Sequence, residues 1–198
     1  MTMRTLLFIL AIFCTPFILA AEPLTLSTNG KTEYVIVLPT EPTAIEQTAA
    51  KEFQQHLKAV TGADFPVVKE TEVDATKSQL IVGNTKRLKE LLPDLDIAKI
   101  PYDGIVIKSV GNNIVFVGHP QRGTLYAVNT FLEDAVGVRW WTSTESFIPK
   151  KPTLIVPPQN VEYAPKLIHR ETYYLDALDG VFASRMKCNG HHVRVTSE

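Results

Sequence analysis

The sequence predicts an α+β domain: a two-layer arrangement in which a mixed β-sheet carries helices packed on one face. Three observations predict it. Short β-rich runs alternate with amphipathic helices along the chain, hairpin signals force antiparallel pairing, and two long helices are too few to cover both faces of six to eight strands. The 198 residues carry a formal charge of -1, with 45% hydrophobic and 21% charged residues. These values exclude whole-chain disorder, a fibrous rod and a polytopic membrane protein, and the absence of a basic excess argues against a nucleic-acid partner.

The elements follow in order. Residues 24–28 and 34–38 (YVIVL) read as strands flanking the turn Asn29-Gly30, a hairpin signal. Ile45, Ala49, Phe53, Leu57 and Val60 form one apolar stripe at helical spacing. Thr43 with Glu46 three positions on is a capping box for that helix, and Gly62 is placed to end it in the left-handed conformation. Residues 65–68 and 79–82 read as further strands, followed by a short helix over 85–92 that Pro93 stops. The runs GIVIKSV (104–110) and IVFV (114–117), joined by Gly111-Asn112-Asn113, predict a second hairpin. Leu125, Val128, Phe131, Leu132 and Ala135 then define a second amphipathic helix closed by Gly137, and residues 138–141 and 153–156 return to strand. After Pro157-Pro158 the pattern changes. A domain boundary is expected near residue 160, with a strand over 167–172 and a short helix over 182–189 beyond it.

Residues 1–21 have the parts of a secretory signal: Arg4 in a short n-region, an apolar run over 6–19 and a small-residue exit at Ala20-Ala21. The run is shorter than the roughly 20 residues of a membrane span, and Pro16 interrupts it. Phe13 precedes Cys14 where a lipoprotein signal wants a small residue. The mature chain is therefore expected to begin near Glu22, secreted or periplasmic, without a membrane span, and with Cys188 as its one cysteine and no intrachain disulfide.

Site chemistry is sparse. Glu133 and Asp134 are adjacent on a helix and point about 100° apart, so they cannot flank one substrate bond and read as solvated helix-end charges. GHPQRG (118–123) has the spacing of a phosphate loop, but Thr124 stands where its lysine must be, so a tight strand-to-helix turn is the better reading. Cys188, His191 and His192 fall short of the four ligands of a structural zinc, and neither a metal nor a cofactor is expected. Of Trp140 and Trp141, alternation in a strand puts one in the core and leaves the other for a sugar or a partner domain. His56 and His119 read as surface histidines.

The succession YVIVLPTEPTAIEQTAAKEFQQHLKAVTGADFPV, QLIVGNT and DGIVIKSVGNNIVFVGHPQRGTLYAVNTFLEDAVGVRWWT resembles the N-terminal domain of bacterial α-glucuronidases of glycoside hydrolase family 67. It is equally similar to an uncharacterised carbohydrate-active family and to the accessory domain of family 20 hexosaminidases. The resemblance covers residues 24–160, and its most specific piece runs from Arg122 to Trp140. It implies that residues 22–160 form the accessory domain and that 161–198 open a (β/α)8 barrel, truncated here to its first β/α unit. The catalytic carboxylates of such enzymes come from later barrel strands, so the chain alone is expected to be inactive although its parent hydrolyses O-glycosyl bonds. In family 20 relatives the first barrel strand carries a proline, a hydrophobic residue two on, and a sugar-holding arginine three further. Pro165, Leu167 and Arg170 reproduce that spacing, while Glu171 stands where a glycine is usual. The resemblance thus implies Arg170 as a substrate-binding residue, its donor fork suited to sugar hydroxyls or a uronate; the alternative is a salt-bridge arginine. The implied role is polysaccharide degradation, with an oligo- or polysaccharide met through the parent barrel. The rivals are a non-catalytic carbohydrate-binding or cell-surface module and a purely structural brace.

Overall fold

A computed structural model describes residues 22–74 and 76–190. Residues 1–21, expected to form a secretory signal, and with them Cys14, lie outside the described residues, as do His191 and His192. The central sheet has six strands: β2 (Val35–Leu38), β3 (Val67–Lys69), β4 (Gln79–Val82), β5 (Ile105–Val110), β6 (Asn113–Gly118) and β10 (Asn160–Tyr163). Their order is β10-β5-β6-β4-β2-β3. The β10–β5 and β5–β6 pairs are antiparallel and the other three parallel, so the sheet is mixed as predicted.

The two long helices, α1 (Ala44–Thr61) and α3 (Gly123–Phe131), lie on one face. There Ile36, Leu80, Ile107 and Phe116 meet Phe53, Leu57, Val128 and Phe131 in the main core. Among the described residues the reverse face carries the six-residue α2 (Lys86–Leu91) and a 3-10 turn at Ile97–Lys99; Leu88 of α2 and Ile100, which caps the turn, cover Ile81, Val106, Val115 and Val117. The alternation of Leu80, Ile81 and Val82 between the two clusters is the two-residue period of a strand buried on both sides.

Helix α1 starts as its sequence predicts. Thr43 N–H donates to Glu46 Oε2 at 2.8 Å, and Glu46 N–H donates to Thr43 Oγ1 at 3.3 Å. Gly62 closes it at φ 78°, with its N–H donating to the Lys58 carbonyl. Helix α3 passes directly into a π-helical turn, Leu132–Val136, which Gly137 ends at φ 95°.

Two expectations fail. Asn29-Gly30 does make a tight turn, with φ 50° and 74°, but the strands beside it do not pair with each other. β1 (Leu24–Ser27) pairs antiparallel with β9 (Leu154–Val156), because all four residues of β2 are buried and its two edges are taken by β3 and β4 in parallel. Residues 167–172 form no strand: no strand of the described residues runs beside them, and Leu167 and Ile168 stay about 70% exposed. The predicted helix over 182–189 is a shorter one, α4 (Gly180–Arg185). The last strand of the central sheet in chain order, β10, ends at Tyr163. β7 (Arg139–Trp140) and β8 (Ser146–Phe147) make a separate small hairpin.

Candidate functional site

The glycines of GHPQRG explain the turn that opens α3. A Cβ on Gly123 would stand 2.6 Å from the Gly118 carbonyl carbon and would also strike the Gly104 carbonyl, so the two glycines are spaced to let three backbone segments touch. This close approach brings Asp103, in the turn before β5, beside Arg122 at the start of α3. Asp103 takes the left-handed conformation, φ 56°, and its carboxylate is shut off from solvent.

Three side chains converge on that carboxylate. Arg122 Nε donates to Oδ1 at 3.0 Å, Arg170 Nη2 to Oδ2 at 2.6 Å and Asn189 Nδ2 to Oδ2 at 2.7 Å. Burial alone would raise the Asp103 pKa, but the bonds from Arg170, Asn189 and Arg122 outweigh it and hold the carboxyl below its usual range. Asp103 is therefore ionised at neutral pH and cannot serve as a general acid.

Arg170 is the residue that the resemblance selects, and its guanidinium is largely committed. Besides Asp103, it donates from Nε to the Lys187 carbonyl at 2.9 Å and from Nη1 to the Leu167 carbonyl at 2.7 Å. Its contact with the Tyr126 hydroxyl commits the guanidinium further, and what is left of it borders the adjoining cavity. That cavity, about 600 Å3, is bounded by Asp103, Tyr126, Thr130, Tyr163, Arg170 and Lys187 among others. Thr130 Oγ1 on its wall is buried and has no hydrogen-bond partner among the described residues. Tyr126 donates its hydroxyl to the Cys188 carbonyl at 3.0 Å; burial first, and then the Asp103 charge, push its pKa up to about 12, so it stays a neutral donor. The arrangement can orient a polar ligand, and its one carboxylate with a resolved shift, Asp103, is held ionised.

The other expected sites separate clearly. Glu133 is paired with Lys187 Nζ at 2.9 Å, which ties the π-helical turn to the tail. Trp140 is buried and Trp141 is 62% exposed, the division that alternation predicts. His119 sits at the surface turn, edge-on to Tyr102. His56 is a correction: it is 6% exposed, because Trp140 and α4 cover the flank of α1 that reads as polar in the sequence. Sequence reasoning missed Asp103, Asn189, Glu52 and Arg185. The Asp-Gly pair at 103–104 signals a turn, but nothing local reveals a partner 67 residues on. Among the described residues no group of three or more His, Cys, Asp or Glu could hold a metal, and no helix is long and apolar enough to cross a membrane.

Comparison with known proteins gives matches of three kinds. The family model described as the glycosyl hydrolase family 67 N-terminus matches residues 24–131, from β1 to the end of α3. The probable alpha-glucuronidase A of Aspergillus terreus (strain NIH 2624 / FGSC A1156) is 31% identical over 91 residues, 43% of this chain and 10% of that protein. A solved family GH115 4-O-methyl-alpha-glucuronidase with specificity for decorated arabinogalactans superposes with a TM-score of 0.54 at 17% identity, over 74% of this chain and 19% of that one. The last likeness is one of fold. The chain thus spans a small part of the length of each protein it matches.

Proposed function

The chain belongs to the glycosyl hydrolase family 67 N-terminus family, and from that premise we propose that it is the accessory N-terminal domain of a secreted, α-glucuronidase-like glycoside hydrolase that degrades polysaccharides. On this reading residues 1–21 are a cleaved export signal, and the residues after β10 lead into a catalytic (β/α)8 barrel. The accessory domain contributes position rather than proton transfer. The observation that carries the proposal is the Asp103 clamp: a buried carboxylate of the sheet domain holds Arg170 and Asn189 at 2.6 and 2.7 Å, so the domain fixes the first residues that would face a sugar. Eight large apolar side chains, from Tyr163 to Val181 inclusive, are about half or more exposed, a surface suited to burial against a following domain.

Product analysis with aldouronic acids and glucuronoxylan tests the proposal. The 198-residue chain is expected to release no sugar, and the complete reading frame that contains it is expected to release a uronic acid. Release by the 198-residue chain, abolished by Arg170→Ala, would move the catalytic site into this domain and overturn the accessory role. N-terminal sequencing of exported protein should find Ala21 or Glu22 first; retention of Met1 would remove the export part.

A second reading has its own observation. Trp141 and Phe147, 62% and 53% exposed, both stand on the β7–β8 hairpin, where aromatic faces can stack on sugar rings. Calorimetric binding of soluble glucuronoxylan, lost in Trp141→Ala, would favour a carbohydrate-binding module over a brace.

A further inference from the structure

The buried histidine joins three elements and does so in only one protonation state. Trp140 Nε1–H of β7 points at His56 Nε2 at 3.2 Å. An indole nitrogen can only donate, so Nε2 must be bare. The other ring nitrogen, Nδ1, lies 2.8 Å from the Glu52 carbonyl, which can only accept, so Nδ1 carries the single proton. Beside this ring Glu52 holds α4: Arg185 Nε donates to Oε2 at 3.1 Å, and Nη2 donates to Oε1 at 3.1 Å and to Oε2 at 3.0 Å. The same guanidinium lies 5.5 Å from the centre of the Trp140 ring. The charged groups facing His56 are thus Glu52 from its own helix, with a carboxylate oxygen 3.6 Å from Nδ1, and Arg185 from α4; β7 presents the uncharged indole.

We propose that His56 is an acid-sensitive latch that holds α4, and the tail behind it, against α1 and releases them when the ring takes up a second proton. A proton on Nε2 sets two N–H groups head to head, and the Trp140 bond is lost. The new imidazolium is repelled by Arg185 and attracted by Glu52, so it competes with Arg185 for the carboxylate that anchors α4. Opening relieves both conflicts by letting Arg185 move to water. Burial of the ring pushes its pKa below the ordinary 6.5, against the opposing pull of the Glu52 carbonyl and carboxylate. The sign follows from that direction. The open state binds the second proton more readily, so closure is complete above the ordinary value and weakens as pH falls from there through the value of the closed state. Release of α4 would uncover Trp140 and loosen Cys188 from Tyr126 at the rim of the Asp103 cavity.

Hydrogen exchange of the 198-residue chain from about pH 8 to about pH 5, corrected for intrinsic exchange, tests the latch. Opening of the α4 amides should rise on the acid side by up to about tenfold per pH unit, while amides in the middle of α1 keep their protection. His56→Gln, whose side-chain oxygen can still accept from Trp140, should flatten the response; Arg185→Gln should leave α4 open throughout. A response that persists in a folded H56Q variant, or none in the wild-type chain, overturns the proposal. NMR titration of the wild-type ring decides the matter if H56Q does not fold. A midpoint below 6.5 that coincides with movement of the Trp140 indole proton is expected, and one at or above it with that proton unmoved refutes the latch.

Discussion

Asp103 and Arg170, 67 residues apart in the chain, meet at 2.6 Å, and through this contact the turn before β5 governs where the segment after β10 lies. The carboxylate has no exposed side-chain surface, and both arginines that reach it are about four-fifths buried. Removing it would strand two cations at a site built around an anion. Asp103→Ala should cost about 3 to 5 kcal/mol in urea denaturation at neutral pH, and Asp103→Asn, which keeps the shape and one acceptor, should cost less.

The same residue gives a pH signature. Because the folded-state pKa of Asp103 is depressed, its contribution is present above the unfolded value of about 3.9 and is lost as pH falls through the folded value. Denaturation curves should therefore show the wild-type chain losing its margin over D103N on acidification into that window. A constant margin would mean that the carboxylate charge does not stabilise the fold.

Phe53 is fully buried at the middle of α1, edge-on to Phe116 of β6 at 4.8 Å and to Phe131 of α3 at 5.6 Å. Phe53→Ala removes a ring from the layer between helices and sheet and should cost about 3 to 5 kcal/mol by chemical denaturation. Trp141→Ala, at an exposed position, should stay within about 0.5 kcal/mol.

Two classes of glycine should respond differently. Gly111 has φ 56° and open space around it, so Gly111→Ala incurs only the left-handed backbone penalty, about 1 to 2 kcal/mol. Gly123 abuts the backbones of Gly118 and Gly104, none of which can step aside like a flexible side chain. Gly123→Ala should cost more than Gly111→Ala in the same thermal melt and should disturb Asp103, which the close approach positions.

Tyr126→Phe deletes the hydroxyl that donates to the Cys188 carbonyl and meets the Arg170 guanidinium. Exchange of the amides around Cys188 should accelerate roughly fivefold, for about 1 kcal/mol, with α1 unchanged. An equal acceleration in α1 would show that the tail and the sheet domain open as one unit.

The sequence by itself determined what depends on neighbours along the chain. The Thr43–Glu46 box, the stripe through Phe53, the left-handed stop at Gly62 and the β5–β6 hairpin all lie within one helix or one turn, where spacing dictates geometry. It also divided Trp140 from Trp141, since alternation is a local rule. Tertiary structure alone decided the rest. Asn29-Gly30 specifies a turn, but which strand accepts β1 depends on β9, more than a hundred residues later. The side of α1 that carries His56 reads as polar because Glu52 and His56 are polar; it is buried because Trp140 and Arg185 arrive from distant segments and satisfy them. Asp103 acquired its role in the same way. An Asp-Gly turn is legible, whereas the convergence of Arg122, Arg170 and Asn189 on one buried carboxylate is a fact of long-range packing that no local pattern encodes.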